Sequence, residues 1–367
     1  MPRRAAARSL VFAAAVAASC APHPARIVDL PPTGPFRTQT GEATHPRCAR
    51  PERRGPDGAA PRCTVSFRRG TTTMTASPDG TILLIALLDV EPTAWTLPAV
   101  AFGHPFAPIP TEEHEPAVGE REGPQALAVS PDGATTLFAV EDRLIRYDLA
   151  SGAVLGEFEA PGHTGMVNDV VWSPDGAALM IASAGDGKAR LLDAATGRVI
   201  RTLPVEGRIV ELAFDRTGRR GAVGTEIGTI AIVDLSGAKD ARPAVLTPST
   251  QEITGLGFLD DTLVVAARDG RVRLFDVASG ALVREADLHA ATARFALATD
   301  GRLAAVSDDR NVVRVMSLPD AVVRHTFAWH QASITALAWG AGPTLLVADN
   351  DGELAAWDVV PGSRGER

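Results

Sequence analysis

The sequence predicts an all-β chain: a seven-bladed β-propeller of four-stranded antiparallel blades, closed by an N-terminal strand that completes the last blade. Three observations carry this. A Ser-Pro-Asp-Gly turn, or a relaxed form of it, recurs with starts 53, 43, 42, 44, 39 and 42 residues apart. A second series of turns, each an aromatic or aliphatic residue followed by Asp, recurs in step with the first. The last unit stops one strand short, and a spare strand precedes the first.

The unit is clearest at residues 162–203. Met166 to Trp172 is a short apolar run, and Ser173-Pro174-Asp175-Gly176 reverses the chain because Pro presets φ and Gly accepts positive φ. Ala177 to Ser183 is apolar on both parities, as suits a strand covered on both faces. Asp186-Gly187 signals a tight hairpin, Lys188 to Asp193 is the next strand, and Arg198 to Leu203 alternates like a half-exposed strand. The same first turn stands at Ser77, Ser130 and, relaxed, at Asp215; weaker forms begin at Leu259, Ala298 and Gly340. The second series is Tyr147-Asp148, Leu192-Asp193, Val233-Asp234, Phe275-Asp276 and Trp357-Asp358. The last unit holds strands over Ile334–Trp339, Thr344–Ala348 and Leu354–Val360 only, so Cys63–Arg69 is free to supply its fourth and to hide two sheet edges. In the sixth unit Asp308-Asp309-Arg310-Asn311 replaces the Asp-Gly hairpin and Met316-Ser317 the apolar-Asp pair. Asp349-Asn350-Asp351-Gly352 begins like a calcium loop, but the twelfth position is Val360, so it reads as a hairpin.

These repeats, with Gly162-His163 before the third unit and the literal Trp357-Asp358, resemble the WD40-repeat β-propellers over roughly residues 63–360. The resemblance implies a structural His–Ser–Asp–Trp hydrogen-bond tetrad. It maps in part onto His163, Ser183 and Asp186 in one blade and onto His330, Asp351 and Trp357 in the last; Leu192 and Ala348 stand where further partners would be. It also implies a non-enzymatic platform that binds proteins.

Ahead of the propeller, residues 1–19 read as a lipoprotein-type export signal. Arg3, Arg4 and Arg8 precede an apolar stretch too short to span a bilayer. Val16-Ala17-Ala18-Ser19-Cys20 resembles a bacterial lipobox, which makes Cys20 the lipidation site. Residues 20–61 are Pro-rich and cannot bury a core, so they read as a tether, followed by the propeller at 62–361 and a tail at 362–367. Ala21 and Pro22, with no Asp after Cys20, point to the outer membrane, facing the periplasm or the surface. In an exported chain the two remaining cysteines, Cys48 and Cys63, are expected to form a disulfide.

The wide first spacing marks an insert near Phe102 to Val118, a candidate recognition loop carrying His104, Glu112, Glu113 and His114. Its acids and histidines lack a fixed ligand spacing, so no metal site is assigned. A net charge of −8 speaks against nucleic acid as a partner. No nucleophile motif, phosphate loop or haem motif is present, and no cofactor is implied. The expected function is therefore a monomeric, lipid-anchored scaffold for protein partners at the bacterial cell envelope. The alternative is an enzyme of lactonase or quinone-dependent dehydrogenase type, or a small-ligand or glycan binder. Such a protein would use the axial channel through His163, Glu206, Gln251, Glu252, His289 and His330. Trp95, Trp172, Trp329, Trp339 and Trp357 read as core residues more than as glycan platforms.

Overall fold

The computed structural model describes residues 54–56, 59–67, 70–87, 90–97, 99–108, 124–159, 166–183, 186–205, 207–237 and 242–359. Within them the chain forms seven four-stranded antiparallel sheets. Six are built from consecutive strands, and the seventh orders the N-terminal strand Cys63–Ser66 beside Glu353–Asp358, Thr344–Asp349 and Ile334–Trp339. The ring thus closes as expected. Cys63 pairs with Ala356 and Val65 with Leu354, and Arg62 Nη1 reaches Asp358 Oδ1 at 3.0 Å across the seam. Cys63 is disulfide-bonded; Cys48, like Cys20, lies outside the described residues.

The apolar core is divided. Seven clusters of buried side chains each join two neighbouring blades, including one between blades 7 and 1 that contains Val65, Met74, Leu83, Trp95 and Leu346. This is how 367 residues avoid needing one deep core: each blade buries both faces against its neighbours.

The repeated turns explain their own sequence. In blade 3 the Ser173 hydroxyl donates to Asp175 Oδ1 at 2.6 Å and accepts the amide of Ala178 at 2.9 Å, while Asp175 Oδ1 accepts the amide of Ala177 at 3.0 Å. The same bonds recur at Ser77/Asp79 and Ser130/Asp132, and in blade 4 Asp215 takes over the serine's role toward the amides of Arg219 and Arg220. Gly80 shows why this turn needs glycine: its φ is +68°, and a Cβ would sit 2.3 Å from the Ala341 amide of blade 7. The Asp that ends the third strand caps the next turn. Asp148, Asp193 and Asp276 accept the backbone amide and hydroxyl of Ser151, Thr196 and Ser279. Those hydroxyls hold each of these carboxyls below the ordinary carboxylate range.

The outer strands end each sheet with a device against edge pairing. A one-residue bulge interrupts the outer strands of blades 1, 2, 3, 5 and 6. Blade 4 has only the three-residue Ala244–Leu246, flanked by Pro243 and Pro248.

Candidate binding channel

The inner strands of six blades carry a bulge directly after their first paired residue, at Thr72, Asn168, Val210, Thr254, Ala293 and Thr335. A bulge turns two successive residues toward one side. Here that side is the axis, so Asn168 with Asp169, Val210 with Glu211 and Ala293 with Arg294 all line the channel. Blade 5 offers Gly255 at the second of these positions, because a Cβ there would lie 2.1 Å from Cβ of Phe295 in blade 6.

Three cavities follow one another along the axis. The first, about 550 Å³, is lined by Arg208, Glu252, Arg268, Arg294, Gln125 and Glu211 among others. The second, about 320 Å³, shares Thr72, Gln125, Asn168, Glu211 and Arg294 with it and adds Asp169. The third, about 210 Å³, has no charged lining residue and includes Met74, Leu297, Leu337 and Trp339. Charge therefore concentrates at one end of the channel.

Within that charged end the groups are held firmly. Asp169 Oδ2 accepts the amide of Leu212 in blade 4 at 2.9 Å, and Oδ1 accepts the amide of Val170 at 2.8 Å. Burial nevertheless pushes its carboxyl up to about 7, against the pull of those two amides. Burial, then the charge of Asp169, drives Glu211 up to about 8; Glu252 adds to the rise and Arg294 opposes it. The Arg294 guanidinium is fixed by two carbonyls, donating from Nε to Thr335 O at 2.7 Å and from Nη1 to Ala293 O at 2.9 Å. At the mouth Arg268 lies 3.6 Å from Glu252 and Arg208 lies 3.8 Å from Glu226.

Of the channel residues named from sequence, the four that are described fall elsewhere with one exception. Glu252 lines the channel. His289 is 85 % exposed beside Asp287, and Gln251 is also exposed; His163 and Glu206 lie outside the described residues. His330 is buried, with Nδ1 2.7 Å from Asp349 Oδ2, so it is tied into blade 7. This corrects the tetrad assignment: Asp349, not Asp351, is the carboxylate that meets His330. Asp351 is exposed and donates its own amide to Asp349 Oδ1. Trp357 stacks on Phe327 at 4.2 Å, and its Nε1 has no hydrogen-bond partner among the described residues. In blade 3 the Asp186 carboxylate pairs with Arg190 of the next strand, while the Ser183 hydroxyl is buried without a partner among the described residues. Arg273–Asp269 at 2.8 Å and Arg314–Asp308 at 2.5 Å repeat that arrangement in blades 5 and 6. An arginine on the third strand thus does in three blades what the histidine does in the last.

The recognition-loop assignment is corrected in part. Phe102 and His104 belong to the outer strand of blade 1, Ala101–Pro105. His104 Nε2 lies 3.0 Å from Leu149 O of blade 2, and Phe106 packs on Phe138 and Tyr147, which fixes this segment to the next blade. Glu112, Glu113 and His114 lie outside the described residues. Trp95, Trp329, Trp339 and Trp357 are buried and Trp172 partly so, as core residues should be.

The charged channel-lining residues missed from sequence are Asp169, Glu211 and Arg294. Their signal was present: each is a charged residue inside an otherwise apolar first strand, in VNDVVW, IVELAF and TARFAL. Reading such strands as plain apolar runs hides them.

The architecture is a seven-bladed β-propeller, and the family model that matches part of it is a WD40 one. A family model described as the Anaphase-promoting complex subunit 4 WD40 domain matches residues 141–214. The chain is 26% identical over 191 residues to "Eukaryotic translation initiation factor 3 subunit I" of Drosophila pseudoobscura pseudoobscura, covering 47% of this chain and 54% of that protein. It is 29% identical over 222 residues to "Angio-associated migratory cell protein" of Canis lupus familiaris (53% and 49%) and 30% identical over 160 residues to "Actin-interacting protein 1" of Drosophila melanogaster (42% and 26%). The chain spans about half the length, or less, of these relatives.

Proposed function

We propose that the protein is a non-enzymatic interaction scaffold, anchored at the bacterial cell envelope by a lipid on Cys20 and spaced from the membrane by residues 21–61. The lipobox-like Val16–Cys20, the Pro-rich segment after it and the disulfide at Cys63 support the address. The observation that carries the scaffold reading is an apolar arc on the rim. Outer strands of blades 2 to 6 expose Leu155, Val199 with Ile200, Val245, Leu282 with Val283, and Val322 with Val323; Val245 is 62 % and Val283 58 % exposed. Exposed aliphatics that recur from blade to blade are the surface a protein partner would cover. Among the described residues, blades 7 and 1, where the ring closes, add none to these large exposed aliphatics.

Cross-linking in intact cells tests both halves. The wild-type chain should capture a discrete envelope partner, and Ile200→Lys with Val283→Lys should remove it without changing the melting temperature. Cys20→Ser should release the chain from membranes and lose a lipid-sized mass. Capture that survives the rim substitutions would sink the rim surface, and an unlipidated, soluble wild-type chain would sink the anchor.

A further inference from the structure

We infer that the axial channel binds a small zwitterion of the free amino acid class, with its ammonium group on Asp169 and Glu211 and its carboxylate on Arg294. The inference is independent of the scaffold reading, which concerns the rim. It starts from two opposite poles in one cavity. Asp169 and Glu211 stand at equivalent positions of blades 3 and 4, and Arg294 stands at the same position of blade 6. Among the described residues no cation pairs with either carboxylate and no carboxylate pairs with Arg294, although every other charge named at that end of the channel has a partner. Were these groups present only to neutralise one another, they would meet. Instead the Arg294 guanidinium is pinned by the carbonyls of Thr335 and Ala293 through Nε and Nη1, which leaves Nη2 without an acceptor among the described residues. Asp169 is likewise pinned by two amides. Rigid poles of opposite sign, kept apart across a cavity of about 320 Å³, are preorganised for a ligand that carries both complementary charges.

The mixed charge also selects against simpler ligands. An anion on Arg294 would face two acids, and a lone cation on the acids would face Arg294. Among the described residues no group of three His, Cys, Asp or Glu is placed to hold a metal ion. The neutral donors and acceptors Thr72, Gln125 and Asn168 complete the wall between the poles. The charged groups facing Glu211 are Asp169, Glu252 and Arg294, and Glu211 and Asp169 hold their protons near neutrality. An incoming ammonium favours the ionised pair, so binding releases a proton and tightens as pH rises through about 7 to 8.

Isothermal titration of the full chain with L-alanine, L-lysine and L-glutamate tests this, with methylammonium and acetate as single-pole controls. At least one amino acid should bind saturably, more tightly above pH 8 than below pH 7, and the controls at least about tenfold more weakly. Glu211→Gln and Arg294→Gln should each weaken it about tenfold or more while the melting transition stays cooperative. No binding of any of the three amino acids at millimolar concentration would overturn the inference. Methylammonium binding as tightly as the amino acids would reduce the site to a cation pocket. Binding that survives both substitutions would place the ligand outside the channel.

Discussion

The turn face and the channel wall are built from the same seven repeats, and they behave oppositely. On the turn face of blades 1 to 3 equivalent positions carry the same residue for the same reason: Asp79, Asp132 and Asp175 each accept the turn serine's hydroxyl and a backbone amide, and all three carboxyls are lowered by the Ser hydroxyl first. On the channel wall equivalent positions differ from blade to blade: Thr73, Asp169, Glu211, Gly255, Arg294 and Ala336. Repetition reports what every blade needs to fold. Departure from it, at a position the backbone still aims at the axis, reports what the whole ring does. The acids follow the same division. Turn carboxylates are lowered by the hydrogen bonds they accept, whereas channel carboxylates are raised by burial.

The strongest way to break the comparison is to remove an element that all blades depend on. Deleting Cys63–Ser66 exposes Leu354 and Ala356, each 1% accessible, and leaves Glu353–Asp358 as an unpaired sheet edge. The chain without it should lose its cooperative melting transition, whereas deletion of residues 21–46 should leave the transition in place. Equal melting of the two truncations, followed by circular dichroism, would refute the closure argument.

A smaller effect separates structural acids from one another. Asp308 is buried, accepts the amides of Arg310 and Val312, and pairs with Arg314 at 2.5 Å. Asp308→Ala would leave that arginine uncompensated and should cost about 3–5 kcal/mol. Asp175→Ala, at an exposed turn, should cost about 1 kcal/mol or less. Denaturant unfolding of both variants gives the ratio; similar losses would mean the hairpin ion pairs are not what holds the blades.

The same division decides what was legible in the sequence. Blade number, the order of turns and the closing strand were readable because Ser-Pro-Asp-Gly and apolar-Asp are short, local and repeated. The sixth hairpin was harder because Asn311, at φ +62°, takes the left-handed position that Gly270 and Gly352 fill elsewhere. The His330 partner was misplaced by two residues: a hairpin holding both Asp349 and Asp351 does not say which carboxylate points inward. Arg190, Arg273 and Arg314 substitute for a histidine in a way that no spacing rule carried over from the WD40 resemblance would find. The channel residues were hidden for a different reason. Which side chains converge on the axis depends on a bulge after the first residue of each inner strand, and a bulge shifts the period-two reading by one.

The subtlest test sharpens the contrast through pH. Glu211 holds its proton more tightly in the folded chain than an unfolded carboxyl would, since burial and Asp169 push it to about 8. The stabilisation tied to that proton is complete below the ordinary carboxylate range and is lost as pH rises through about 8, because the folded state must then carry a buried charge beside Asp169. The turn acids run the other way: with lowered values, their contribution is present above the ordinary range and disappears as pH falls. Stability should therefore peak on the mildly acidic side of neutrality. Glu211→Gln keeps the side chain's shape and removes the titration, so it should leave the acid limb unchanged and raise the alkaline limb, by up to about 1.4 kcal/mol for each pH unit over which the proton was held. Melting temperatures of wild type and variant measured from about pH 5 to about pH 9 read this directly. If the two curves run parallel throughout, Glu211 is an ordinary solvated carboxylate and the contrast between turn and channel acids disappears.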